Sequence, residues 1–231
     1  MSASDAPDNA HRGGPEGRNR STTTPETGMP ESPTSIDPER TALLVMDYQP
    51  VVLGSLSDAE ELLSRVAEAI AIVRRHGGQV AYVRVAFDDA DYEAVPEHSA
   101  FAPALATARE VFHSDSPATA IHERVAPEPG DIIVRKTRFG AFSTTDLAEQ
   151  LRDRAITTLI LAGVSTSGVV LSTVRDAADR DYRVFVLADA TADPERGVHG
   201  FLIERVFPRQ AQVIAVAQLD GLLSGTDERS M

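Results

Sequence analysis

The chain has 231 residues, with 22 Lys and Arg against 35 Asp and Glu, giving a formal net charge of −13 when histidine is neutral, which argues against nucleic acid or an anionic membrane surface as partner. Its 42% hydrophobic and 25% charged residues are those of a globular protein, and the absence of cysteine excludes disulfides, thiolate metal sites and a cysteine nucleophile.

Residues 1–36 hold five prolines, four glycines and ten Ser or Thr, with Met1, Met29 and Ile36 as the larger apolar side chains, so they are expected to form a disordered tail. Asp5, Asp8, Glu16, Glu26 and Glu31 spoil the acid-poor pattern of a transit peptide, and no apolar stretch in the first thirty residues resembles a secretory signal. No run approaches the roughly 18 apolar residues of a membrane span, so the cytoplasm is the expected location.

From there short apolar runs alternate with longer amphipathic segments, the pattern of strands and crossover helices around a parallel sheet. Strands are expected at Ala42–Met46, Val80–Val85, Ile132–Val134, Leu159–Ala162, Val184–Ala188 and Val213–Val216, apolar on consecutive residues as in a sheet covered on both faces. Between the first two, Leu62, Leu63, Val66, Ile70 and Val73 recur at helical spacing within Ser57–His76, which Ser57 and Glu60 open as a capping box and Gly77-Gly78 closes. Further helices are expected at Ala100–Val111, Thr145–Arg154, Gly168–Arg180 and Pro194–Val206. Together they describe a single three-layer α/β/α domain over 37–224 with a six-stranded, mainly parallel sheet, followed by a flexible end at 225–231.

Ligands of open parallel sheets bind beyond the carboxyl ends of the strands. Asp47 follows the first strand, Lys136 the third, and Gly163-Val164-Ser165-Thr166-Ser167-Gly168 the fourth. A carboxylate, an ammonium and a turn offering free N–H groups at a helix start suit a carboxylate, a carbonyl or a developing oxyanion. Each part also has a plainer reading: Asp47 as a turn former, Lys136 within the solvated cluster Arg135–Arg138, the hydroxyls as helix caps. Their joint placement at three strand ends favours function. Gln49, Arg84, Phe87, Phe139 and Phe142 are candidate pocket walls, with core packing the alternative for Phe142 and a salt bridge to a loop aspartate the alternative for Arg84. Asp88, Asp89 and Asp91 read as a solvated loop rather than a cation site. The six histidines, His11, His76, His98, His113, His122 and His199, show no metal-ligand spacing and read as surface or helix-end residues, none near the turn in sequence.

Met46-Asp47-Tyr48-Gln49, Lys136-Thr137-Arg138-Phe139-Gly140-Ala141-Phe142 with Thr145-Asp146-Leu147, and Leu161 to Thr173 resemble the isochorismatase-like, or cysteine hydrolase, superfamily, a Rossmann-like fold. Arg175-Asp176-Ala177-Ala178 and Asp181-Tyr182-Arg183 continue the likeness, which runs from about Thr41 to Val216. Most members use an Asp–Lys–Cys triad. Asp47 and Lys136 match the first two positions, and the nucleophile's slot, six residues after the glycine of the turn, holds Val169, which cannot form an acyl-enzyme.

Isochorismatases proper also lack that cysteine, since hydrolysis of a vinyl ether needs a proton delivered to carbon, with the Asp as general acid. The resemblance implies that N–H groups of Ser165 and Val169 hold a substrate carboxylate. Those enzymes carry a Gly in the slot, an aromatic-Ala-His turn before it and a Gln at the end of the second strand; here stand Val169, Ser165-Thr166-Ser167 and Tyr82-Val83-Arg84-Val85, which disfavours isochorismate itself. The His/Asp metal site of the nicotinamidase type has no counterpart in Ala86–Asp91.

The expectation is therefore a cysteine-independent hydrolase of a small anionic or carbonyl-containing metabolite, using no cofactor or metal, with Asp47 as general acid/base, Lys136 charging the site, and Ser165, Thr166 and Val169 at the substrate. A homo-oligomer, dimer or tetramer, is implied by the relatives. The competing readings are a non-catalytic binding or assembly module on the same fold and a serine-based amidase.

Overall fold

Every residue of Thr41–Met46 is buried, and this TALLVM run forms β1 at the centre of a parallel sheet. The computed structural model describes residues 35–100 and 102–225; the expected tail up to residue 34 and the expected flexible end from residue 226 lie outside the described residues. Ile36, read from composition as the last residue of the tail, is buried and donates its N–H to the Leu222 carbonyl at 3.0 Å.

After β1 come α1 (Pro50–Leu53), α2 (Ala59–Arg75), β2 (Gln79–Val85), α3 (Asp89–Glu93), α4 (Ala102–Phe112), β3 (Ile132–Lys136), α5 (Leu147–Asp153), β4 (Thr158–Val164), α6 (Leu171–Asp179), β5 (Arg183–Ala192), α7 (Val198–Phe201), β6 (Gln212–Ile214) and α8 (Leu219–Ser224). The six strands lie in the order β3-β2-β1-β4-β5-β6, and every neighbouring pair is parallel. The chain first builds outward from β1 through β2 to β3, then returns to the other side of β1 with β4. The order therefore reverses between β1 and β4, and at such a switch point adjacent connections leave on opposite faces and open a crevice at the strand tips.

Alternation along the strands makes the three layers. Leu43 and Val45 of β1 pack with Leu63, Val66 and Val73 of α2 and Leu219 of α8; Ala42, Leu44 and Met46 pack with Leu147 and Leu151 of α5 and Val174 and Ala177 of α6. A third, smaller cluster of Val85, Phe87 and Leu105 lies beyond the tip of β2. Among the described residues no helix is long and apolar enough to cross a membrane.

Several local expectations are corrected. Helix α2 starts at Ala59 with Asp58 as N-cap and no side-chain capping bond, because the Ser57 hydroxyl is taken by the neighbouring Asp58 carboxylate at 2.7 Å. Its close is as expected, with Gly77 at φ 81°, a conformation glycine adopts freely. The segments 168–180 and 194–206 are not single α-helices. The first opens with a π-helical turn, Thr166–Val170, before α6; in the second, Gly197 at φ 83° delays α7 until Val198, and a π-helical turn follows at Leu202–Val206. Strand β5 runs four residues further than its apolar run, through a register shift against β4 near Leu161 and Gly163.

Candidate active site

The end of β1 is a sharp turn. Asp47 adopts φ 60°, its N–H still donates to the Val83 carbonyl at 2.8 Å, and its own carbonyl accepts the Gln49 N–H at 2.8 Å. Aspartate is among the few non-glycine residues that enter this left-handed region readily. Lys136 is the last residue of β3, on the same strand face as Ile132 and Val134, and pairs in register with Val85 of β2. Asp47 and Lys136 thus come from strands on either side of β2 and meet beyond its tip, with Nζ and Oδ2 2.8 Å apart.

Both side chains are nearly closed from water, at 3% exposure for Lys136 and 6% for Asp47. The ammonium also donates to the Arg138 carbonyl at 3.2 Å. The second carboxylate oxygen, Oδ1, is buried and makes no hydrogen bond within 3.5 Å among the described residues, the Val85 backbone amide being the main-chain donor that bears on this carboxyl. Burial drives the Asp47 carboxyl above the usual range, outweighing the opposing pull of Lys136.

The turn after β4 closes the third side. A cis peptide links Val164 to Ser165, whose Oγ accepts the Gly168 N–H at 3.1 Å while its carbonyl accepts the Val170 N–H at 3.2 Å. The Ser167 N–H donates to Asp193 Oδ2 at 2.7 Å. Three amides of the turn are thereby engaged; those of Ser165 and Val169, expected at a ligand, are not among them. Gly163 is closely packed: a Cβ there would lie 3.0 Å from Val170 Cγ2, 3.1 Å from Met46 Cβ and 3.2 Å from the Met46 carbonyl, so any side chain requires these neighbours to shift. Val169 is buried and belongs to the same apolar cluster as Met46 and Val134. The segment after Lys136 folds across this corner, the Ala141 N–H donating to Thr173 Oγ1 at 3.1 Å and the half-exposed Phe139 ring approaching to 4.0 Å of where a Gly168 Cβ would be.

Other candidates are placed differently. Gln49 is fully buried and its amide is used up by main chain: Nε2 donates to the Val85 and Thr119 carbonyls at 2.9 and 2.7 Å, and Oε1 accepts the Val85 N–H at 2.8 Å. It is a clip holding the tip of β2, not a pocket wall. Gln49→Leu strands those three buried groups and is expected to lower the unfolding free energy by about 3 kcal/mol, read from urea denaturation.

Arg84 donates to the Ser114 and Thr119 carbonyls at 3.3 and 3.2 Å and forms no bridge to the loop aspartates. Arg135 takes that role, reaching Asp88 at 3.2 Å and also Asp91. Asp88 and Asp91 cap α3 reciprocally and the 79%-exposed Asp89 pairs with Arg109, so these acids are solvated as expected but open a short helix rather than form a loop. Phe87 is core, its ring 5.3 Å from that of Tyr92 and its backbone bonded to Phe112 and Ser114. Phe142 stacks on Tyr182 at 6.0 Å under the Arg180 guanidinium; Tyr182 precedes β5, so this ring packs toward the amino end of the sheet, away from the strand tips. Among the described residues no group of three His, Cys, Asp or Glu could hold a metal ion.

Two side chains from beyond β5, Asp193 and His199, reach the turn and escaped the sequence reading. Thr166 is fully buried; its Oγ1 lies 2.9 Å from Nδ1 of the half-buried His199, and Asp193 holds the neighbouring amide. His199 does sit at a helix end, at the start of α7, but it reaches the turn across space. A separation of 33 residues, across all of β5, gave no local signal of that pairing.

A family model described as the Isochorismatase domain matches residues 41–218. The chain is 34% identical over 185 residues, covering 71% of this chain and 72% of the relative, to the ureidoacrylate amidohydrolase RutB of Methylobacterium radiotolerans. It is likewise 34% identical to a probable isochorismatase of Pseudomonas chlororaphis, covering 80% and 87% of the two chains. Among solved structures, an isochorismatase family protein from Burkholderia thailandensis superposes with a TM-score of 0.72 at 27% identity, over 84% of this chain and all of the other.

Proposed function

This chain belongs to the isochorismatase family of hydrolases, and from that premise we propose that it hydrolyses a small anionic or carbonyl-containing metabolite without a covalent intermediate. Asp47 is the general acid/base, Lys136 fixes and charges it, and the turn at Ser165–Val169 receives an anionic group of the substrate. The observation that carries the reading is the divided environment of one carboxylate: Oδ2 is held by Lys136 at 2.8 Å while Oδ1 is buried and meets no side-chain donor among the described residues. An unpaired buried acceptor is costly, and a substrate atom that shares a proton with it removes that cost in the complex.

On a vinyl ether, Asp47 donates its proton to the terminal carbon, water adds to the resulting oxocarbenium carbon, and the hemiketal collapses with loss of the alcohol; the proton released by water returns to the carboxylate. On an amide, the same carboxylate takes a proton from water as it adds to the carbonyl and passes it to the departing nitrogen. Neither route uses a nucleophile at Val169. The serine route draws little support from the geometry, since the Ser165 hydroxyl caps Gly168 and the hydroxyl beside His199 belongs to buried Thr166.

A second reading, a binding or assembly module, rests on the near-complete closure of the Asp47–Lys136 pair. Screening small carboxylates, enol ethers and ureido amides against the wild-type chain and Asp47→Asn separates the two. Turnover that disappears in the variant supports the hydrolase; equal turnover removes Asp47 from the mechanism; binding without turnover favours the module. The homo-oligomer belongs to the same proposal and is read from the mass in solution by light scattering.

The Val169 slot has its own test. Val169→Cys places a thiol in the apolar cluster that also holds Met46, which precedes Asp47, and Val134, on the strand of Lys136, and is expected to gain turnover of ureidoacrylate, the compound that names the relative, at least tenfold above wild type and abolished by iodoacetamide. No gain would mean that the surrounding geometry has diverged from that of a thiol enzyme.

A further inference from the structure

The turn at Thr166–Val170 is gripped from outside its own motif. Asp193, the residue after β5, accepts the Ser167 N–H through Oδ2 at 2.7 Å and the Glu195 N–H through Oδ1 at 3.0 Å, so both of its oxygens are oriented. On the buried side of the turn, His199 Nδ1 meets Thr166 Oγ1 at 2.9 Å. We infer that Asp193 and His199 are positioning residues, a two-point clamp that sets the conformation of the π-helical turn and with it the Val169 amide. The inference deepens the function proposed above, since the clamp is assigned to the turn read there as the anion-binding element.

The two grips differ in kind. The Asp193 contact is a charge-assisted hydrogen bond to a backbone amide, which draws its strength from the carboxylate. The His199 contact depends on protonation: with the ring proton on Nε2, Nδ1 accepts the Thr166 hydroxyl hydrogen, whereas an imidazolium can only donate there and leaves that hydrogen without its acceptor. Burial holds the His199 imidazole below its ordinary range, against the opposing attraction of Asp193, which keeps the neutral ring, the one form able to accept there, dominant over the imidazolium. The π-helical turn packed against α7 brings no titratable side chain. The flanking charges are Glu195 and Arg196 before α7 and Glu204 and Arg205 after it.

The test uses the full chain, uniformly labelled with 15N and followed by amide and imidazole resonances from pH 8 to pH 5. Wild-type Thr166 and Val169 amides are expected to shift with the same midpoint as the His199 ring. In His199→Asn, whose amide oxygen stands near the former Nδ1 without titrating, those shifts flatten. Asp193→Asn is expected to move the Ser167 amide proton upfield through loss of the charge-assisted bond. With pyruvate as a small carboxylate probe, His199→Leu weakens binding about tenfold and His199→Asn restores it, the size expected for one lost buried hydrogen bond. Turn amides indifferent to both His199 ionisation and Asp193→Asn overturn the clamp, as does pyruvate affinity unchanged in His199→Leu. Amides that follow His199 in a chain whose turn never binds pyruvate support the clamp and sink the anion reading alone.

Discussion

Asp47→Asn is expected to lower kcat/KM for whichever substrate the screen yields by about a thousandfold, within the range ascribed to a positioned acid or base. The substitution keeps nearly the same shape and can still meet Lys136, but it cannot transfer a proton. The pH profile separates this from a mere loss of fit. Burial raises the Asp47 carboxyl above its ordinary 3.8, so a step that requires the protonated acid proceeds fully below the raised value and fades as pH rises through it. A step that requires the base shows the mirror image. In either case the residual activity of Asp47→Asn is flat over the same interval, and a variant that keeps the wild-type limb rules Asp47 out.

The same shift has a consequence for stability. The folded chain retains the Asp47 proton at pH values where the unfolded chain has released it, so the stabilisation from this group is complete below about 3.8 and is lost as pH rises through the folded value. Urea unfolding of wild type and Asp47→Asn should therefore show the variant gaining on wild type as pH rises from 4. A constant difference would mean that the carboxyl is not shifted.

The central strands were readable as runs of apolar residues buried on both faces, as β1 and β4 are at every position, whereas β3 exposes Ile133 and β6 is part-buried throughout. Asp47 and Lys136 were readable for a related reason: a charged residue ending such a run has to lie at the strand's carboxyl end, and the parallel order brings those ends of β1, β2 and β3 together. What local pattern does not encode is which polar partner each residue finds. Ser57 and Glu60 fit the spacing of a capping box, yet the nearer Asp58 carboxylate takes the hydroxyl. Gln49 resembles a ligand-facing amide at a strand tip until the loop around Thr119 folds over it. Arg84 and Arg135 are register partners on neighbouring strands, and which of them meets the loop aspartates depends on how the segment after β2 turns, a tertiary choice.

The turn after β4 illustrates the same boundary. Its glycines and hydroxyls announced a tight bend, and Ser165 does cap Gly168. The bend was read as the start of a regular helix because a helical period continues through Val174 and Ala177. The extra residue of the π-helical turn is accommodated by contacts with Asp193 and His199, which lie beyond β5. Periodicity reports the face a segment buries; it is silent on a one-residue insertion secured by distant groups.

Lys136→Met is expected to destabilise the fold by about 3 kcal/mol at pH 7, because it leaves the Asp47 carboxylate buried without its countercharge. The loss should shrink as pH falls, since Asp47 then escapes the penalty by taking a proton. The double variant Asp47→Leu/Lys136→Met removes both charges from a corner already lined by Met46, Val134 and Val169, and is expected to recover most of that stability while remaining without turnover. Urea denaturation of the four chains at pH 7 and pH 5 closes the cycle. A double variant as unstable as the sum of its single substitutions would show that the 2.8 Å contact carries no coupling. Recovery of stability without recovery of activity would mean that the buried pair is retained for chemistry, since packing alone holds the corner at least as well.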